Sequence, residues 1–156
     1  MLARALIAGV TISFEHTIEL KCAPSVPFAI LHDVTKTPSW LARCTGIELL
    51  TAGPLTVGSK LRYSYREGSR VGQMDGEFVE RIPDERLSFR YSDSMFEVWV
   101  KFRIEKAVTS TRLTHTIEMT PKTLMMKLMR PLIRRQLPKQ TIAAMEKLRG
   151  LIEQAA

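Results

Sequence analysis

The order in which local patterns follow one another along these 156 residues constrains the fold more than any single motif. One alternating segment comes first, then two short helical stretches, then about six more alternating segments, and last a long amphipathic stretch. A helix that closes after a run of strands can bury its apolar face only against the sheet they form. If the sheet curls around that helix, the space between them is either a packed core or a cavity. The first makes the protein a scaffold; the second makes it a container for an apolar small molecule.

The alternation is clearest at Thr11–Leu20, where Ile12, Phe14, His16, Ile18 and Leu20 share one face. Ala23-Pro24-Ser25 breaks it. Ser25 is the expected N-cap of a short helix over Val26–Val34, and Pro38 starts a second short turn carrying Trp40 and Leu41. Gly46–Thr51 reads as a short strand, and Lys60–Arg66 as another, with Leu61, Tyr63 and Tyr65 inward. Val71–Ile82 is a long strand in which Gly76 marks a bulge. Leu87, Phe89 and Tyr91 share a face. So do Phe96, Val98, Val100, Phe102 and Ile104, and then Leu113, His115, Ile117 and Met119. From Lys122 the period turns helical, with stripes through Leu124, Leu128 and Leu132 and through Ile142, Met145, Leu148 and Ile152. Pro138 is expected either to kink this helix or to split it, the longer piece running from about Lys139 to Gln154.

The length suits one domain over residues 11–156, preceded by a ragged leader over 1–10, and buries about 70% of the unfolded surface. No run of about 18 apolar residues is present to span a bilayer. Cys22 and Cys44 have no metal-site or disulfide spacing, and two reduced cysteines fit a cytoplasmic protein. The net charge of +7 favours contact with something anionic.

Three stretches carry a resemblance: Ala23-Pro24-Ser25-Val26-Pro27-Phe28 with His32-Asp33-Val34 and Pro38-Ser39-Trp40; Gly53-Pro54-Leu55-Thr56-Val57-Gly58-Ser59-Lys60; and Arg81-Ile82-Pro83-Asp84-Glu85-Arg86-Leu87-Ser88-Phe89. The chain resembles the helix-grip superfamily of START lipid-transfer domains, birch-pollen-allergen-like proteins and polyketide cyclase/dehydrases (SRPBCC proteins). Asp33-Val34, Pro38, Trp40-Leu41 and Cys44-Thr45-Gly46 are similar to its ubiquinone-binding branch, with Thr37 where that branch has an aromatic. The resemblance implies an α+β fold: a curved antiparallel sheet of about seven strands wrapped around a long C-terminal helix, with two short helices between strands 1 and 2.

In that fold the first and last strands are antiparallel neighbours, and parity puts His16 and His115 on one concave face. Buried imidazoles need partners. They either orient a ligand oxygen, move protons in a cyclisation or dehydration, or bond one another, Tyr63 or water. Tyr63, Tyr65, Phe89 and Tyr91 make an aromatic wall with polar tips, suited to a flat apolar ligand or to plain core packing. Met129 and Ile133 extend the apolar lining from the closing helix. Inward carboxylates are nearly absent. No G-x-S-x-G, metal-ligand cluster or phosphate loop appears, so no catalytic residue, metal or cofactor is assigned.

Between Met119 and Met145 the chain holds Lys122, Lys127, Arg130, Arg134, Arg135 and Lys139 and no acid. Lys127, Arg130, Arg134 and Arg135 read either as solvated residues or as a contact for an anionic membrane surface. Nucleic acid is not expected, since the aromatics that would stack bases are buried. Trp99 falls on the polar face of its strand. The expected function is binding or transport of a lipid, an isoprenoid quinone or a polyketide-like molecule by a cytoplasmic protein, peripheral to the membrane in one reading. The alternatives are a polyketide cyclase or dehydratase, and a partner-binding module with a filled core.

Overall fold

The structure is a computed structural model and describes residues 11–156; the leader expected over 1–10 lies outside them. Strand β1 (Ile12–Leu20) is followed by helix α1 (Ser25–His32) and a 3-10 turn (Val34–Ser39). Then come β2 (Cys44–Leu49), β3 (Lys60–Glu67), β4 (Arg70–Ile82), β5 (Arg86–Ser92), β6 (Phe96–Lys106) and β7 (Thr111–Pro121). Helices α2 (Leu124–Leu128) and α3 (Arg130–Ala155) close the chain. The seven strands form one antiparallel sheet in the order β1-β7-β6-β5-β4-β3-β2. This is the helix-grip arrangement, with α3 laid along β1 and against α1.

The inward faces are the ones that alternation marks out. Ile18, Leu20, Leu61, Phe78, Leu87, Phe89, Phe102, Ile104, Leu113 and Ile117 are buried on the concave side, and Met145, Leu148 and Ile152 of α3 meet them. Each Leu- or Phe-sized side chain removed from water there contributes about 1.5–3 kcal/mol. The convex face holds cross-strand ion pairs such as Arg62–Asp75, Lys60–Glu77, Lys101–Glu118 and Arg112–Glu19. Trp99 lies half-buried on that face, between Arg90 and Lys101, each within cation–π distance of its ring.

Several local expectations are corrected. Ser25 is the first residue of α1, and Pro24 occupies the N-cap position with no side-chain cap. Val34 belongs to the 3-10 turn, which Asp33 caps through Thr35 N–H; Pro38 lies inside that turn and does not start it. Register shifts fall between Cys44 and Gly46 and between Phe78 and Glu80, not at Gly76. Gly76 is required for another reason: a Cβ there would collide with the Tyr91 ring and sit 2.6 Å from the Arg90 carbonyl oxygen.

The closing helix does not break at Pro138. It runs unbroken through it, and the break lies at Met129. Pro131 sits in the first turn of α3, where a missing N–H costs nothing and the fixed φ starts the helix. Pro138 is tolerated because Leu137 and Thr141, on either side of it, are anchored by burial. Of the apolar stripes, Met145, Leu148 and Ile152 are buried as expected, whereas Leu124, Leu128, Leu132 and Ile142 are exposed; Leu137 and Ala144 take the inward places.

Candidate functional site

Between the concave sheet and the α1/3-10 segment lies a cavity of about 130 Å³. Its floor is built from residues of six strands, β2 to β7. Among them are Tyr63 of β3, Met74 of β4, Phe89 and Tyr91 of β5, Phe102 of β6 and His115 of β7. Leu31, Val34 and Trp40 form the opposite wall.

The aromatic rings are continuous. Phe78 and Phe89 stack with centroids 4.9 Å apart, Phe89 and Tyr91 lie nearly parallel at 6.2 Å, and Tyr91 meets Tyr63 at 5.4 Å. On the other side His115 stacks on Phe102 at 4.5 Å, and Trp40 meets Phe102 edge-on at 6.1 Å. Such a wall offers flat apolar surface with polar tips at fixed points.

The polar groups of this lining are short of partners. The Trp40 indole Nε1, the Arg43 Nε, the Tyr63 hydroxyl and both ring nitrogens of His115 are buried, and none has a hydrogen-bond partner. An unmade buried hydrogen bond costs about 1–3 kcal/mol. Burial, helped by Arg43 and His16, pushes the His115 imidazole down to about 3, so it is neutral at physiological pH. Burial pushes the Tyr63 phenol up to about 12 against the opposing pull of Arg43, and burial likewise raises Tyr91. The inner lining therefore presents neutral donors and one neutral imidazole, with the guanidinium groups of Arg43 and Arg70 also on the lining.

Arg43 also builds the mouth. Its Nη1 donates to Gln140 Oε1 at 3.3 Å and lies 4.0 Å from Glu67 Oε1, and Gln140 Nε2 donates to the same Glu67 oxygen at 3.3 Å. This three-residue strap ties α3 to the end of β3. Beyond it a second chamber of about 140 Å³ shares Arg43, Glu67, Arg70, Phe96 and Met119 with the first. Met126, Met129, Ile133 and Leu137 of α2 and α3 enclose its far side.

The candidate residues are thus distributed over three places. Tyr63, Phe89, Tyr91 and His115 line the inner cavity. Tyr65 lines its outer part, half-buried, with its hydroxyl 3.5 Å from the Asp93 carboxylate. Met129 and Ile133 line the second chamber. His16 stands opposite His115 in the β1–β7 register and stacks on Phe14, but lines neither chamber. Lys127, Arg130, Arg134 and Arg135 line a separate outward groove together with Leu128 and Pro131.

Two carboxylates reach the mouth: Glu67 at the end of β3, in step with Leu61, Tyr63 and Tyr65, and Asp93 in the β5–β6 turn, where its Oδ1 accepts from Met95 and Phe96 N–H. Sequence reasoning also missed Arg43. It lies outside the periodic segments, and its only signal is its position between Trp40-Leu41 and Cys44. Among the described residues, no three His, Cys, Asp or Glu side chains cluster as metal ligands, and no helix is long and apolar enough to cross a membrane.

A family model described as polyketide cyclase/dehydrase and lipid transport matches residues 11–153. No curated protein matches the chain in sequence. Among solved structures it is similar to the START superfamily protein from Mycobacterium smegmatis, with a TM-score of 0.75 at 16% identity, covering 92% of this chain and 99% of that one. The Zhui aromatase/cyclase from Streptomyces sp. R1128 gives a TM-score of 0.75 at 12% identity, covering 92% and 94%. The di-domain ARO/CYC StfQ from the steffimycin biosynthetic pathway gives 0.77 at 11% identity; 97% of this chain is covered, and it spans about half of that protein, 54%. At such identities these likenesses establish the fold.

Proposed function

The chain belongs to the polyketide cyclase/dehydrase and lipid transport family, and on that premise we propose that it binds a ring-bearing apolar molecule with an acceptor oxygen, and holds it without transforming it. One observation carries this reading: Trp40, Arg43, Tyr63 and His115 bring unpartnered polar atoms to the lining of one aromatic cavity. Three of these are donors outright or by choice of rotamer, and His115 keeps one donor and one acceptor when neutral. A carbonyl or hydroxyl oxygen reaching them would supply hydrogen bonds to these buried groups.

Size narrows the ligand. An apolar cavity of about 150 Å³ accepts a single benzene ring, and the inner cavity is of this order at about 130 Å³. A quinone head group or a small aromatic polyketide fits that description. A tail would leave through the second chamber, past the strap and under the flexible methionines Met126 and Met129.

Protonation favours carriage over cyclisation. General acid–base catalysis works best when the catalytic group titrates near the working pH. His115 at about 3 and Tyr63 at about 12 are both far from it.

The test is fluorescence titration of the Trp99→Phe protein with duroquinone, a single-ring benzoquinone, followed by extraction of the ligand. Saturable quenching of Trp40 and recovery of unchanged quinone are expected. No quenching, together with no apolar adduct in native mass spectra of the purified protein, would overturn the container reading. Recovery of an altered quinone or polyketone would replace the carrier with an enzyme.

A further inference from the structure

The positive charge of the protein is unevenly partnered. On the convex sheet face, basic residues are matched by acids across the strands. The stretch from Lys122 to Lys139 carries six basic residues and no acid. Among the described residues, Lys127, Arg130, Arg134 and Arg135 have no ion-pair partner. The Nε of half-buried Arg130 has no hydrogen-bond partner either.

Apolar side chains stand among these charges. Leu124 and Leu128, one turn apart on α2, are each 74% exposed, and Met125 is 66% exposed. Leu128 lines the same outward groove as Lys127, Arg130, Arg134 and Arg135. A soluble surface gains nothing from placing large apolar side chains largely in water beside unpaired cations. A bilayer interface accommodates both, burying the apolar ones among acyl chains and meeting the cations with phosphate and carboxylate groups.

We propose that α2 and the first two turns of α3 form a docking surface for an anionic lipid bilayer. Leu124, Met125 and Leu128 enter the interface, and Lys127, Arg130, Arg134 and Arg135 contact anionic headgroups. Charge complementarity selects this occupant: a second copy would bring the same unpaired cations to a shared interface, and a neutral apolar partner would leave four cations unmatched. The surface does not depend on what the cavity holds. It does lie on the same short helix as Met126 and ends at Met129, both of which line the outer chamber.

Flotation with phosphatidylcholine vesicles and with equimolar phosphatidylcholine–phosphatidylserine vesicles tests the assignment. All the altered residues are exposed, so folded variants are expected. The protein should float only with the anionic vesicles. Arg134→Glu/Arg135→Glu should weaken partitioning by about thirtyfold or more, on about one decade or slightly less per basic residue lost. Leu124→Gln/Leu128→Gln should weaken it at unchanged charge. A charge-matched control at the far end of the sheet, Arg86→Glu/Lys106→Glu, should retain most of the binding. Equal flotation with neutral vesicles, an equal loss in the control, or no flotation at all would overturn the proposal. Retention on heparin without flotation would overturn it in favour of a soluble polyanion.

Discussion

His16 and His115 are directly opposed across the β1–β7 pair, yet only His115 lines the cavity. His16 stays half-buried on the edge strand β1, although Ile12, Ile18 and Leu20 of the same face are buried. β7 has strands on both sides, and His115 is enclosed. The same residue type at the same height on the same face therefore meets two environments.

That enclosure predicts a pH dependence. The unfolded chain takes up a proton on His115 near the ordinary value of about 6.5, whereas the folded chain resists protonation down to about 3. Between these values the unfolded state binds more protons, so stability falls as pH falls, by at most about 1.4 kcal/mol per pH unit for this residue. His32, held below its ordinary value by burial and by Arg81, acts in the same direction. Urea denaturation at pH 7 and about pH 4.5 should show a smaller acid loss in His115→Phe than in the parent, by about 2 kcal/mol. An identical loss in both proteins would show that His115 is not protected from protonation.

Tyr63→Phe should separate stability from binding. It removes a buried hydroxyl that makes no well-formed hydrogen bond, with Arg43 as its one polar neighbour, so the ligand-free protein should be unchanged or more stable by roughly 1 kcal/mol. Affinity for the quinone probe should fall by roughly tenfold, the value of one hydrogen bond. Thermal unfolding and titration of the same preparation check both. A large loss of stability would mean that the hydroxyl is already satisfied in the folded protein.

Gly76→Ala places a methyl group against the Tyr91 ring and the Arg90 carbonyl. Backbone cannot step aside as a side-chain tip can, and overpacking of this kind costs about 1–3 kcal/mol. Gly72→Ala meets only the outer atoms of the Tyr65 ring, at 2.5 Å, and should cost less because Tyr65 lies near the mouth. Denaturant midpoints compare the two. Equal costs would mean that the sheet relaxes around both positions alike.

Gln140→Ala cuts the strap between Arg43 and Glu67. The expected loss of stability is about 1 kcal/mol, the scale of a partly buried hydrogen-bond pair. Hydrogen exchange in the first half of α3 should quicken while β5–β7 stay protected. Unchanged exchange would show that burial of Leu137 alone holds this part of the helix down.

Much of the fold is legible in the sequence because strand parity reports directly on burial. The inward sets ending in Phe102, Ile104, Leu113 and Ile117 are buried where alternation puts them. Helix boundaries are less legible, because proline has two opposite meanings. Pro131 starts α3, and Pro138 lies inside it; only the packing of Leu137 and Thr141 distinguishes the cases. The exposure of Leu124, Leu128 and Leu132 is hidden for a similar reason: helical spacing defines a face and does not say what covers it. At the site, parity reaches Tyr63, Phe89, Tyr91 and His115, which stand on strands. It does not reach Arg43 or Asp93, which stand outside them, nor the indole N–H of Trp40, whose direction depends on how the 3-10 turn is seated against Phe102.

The pairing of β1 with β7 has a consequence for the nascent chain. From β3 to β7 each strand pairs with the one made just before it, so the β2–β7 part of the sheet can assemble hairpin by hairpin as it emerges from the ribosome. β1 has no such neighbour. Its partners lie about a hundred residues later, as in the Thr11–Thr120 hydroxyl contact across 109 positions. Of the seven strands of this sheet, the one made first is therefore among the last to be paired, and until β7 exists its apolar face, Ile12 to Leu20, lies open to chaperones and to misassociation.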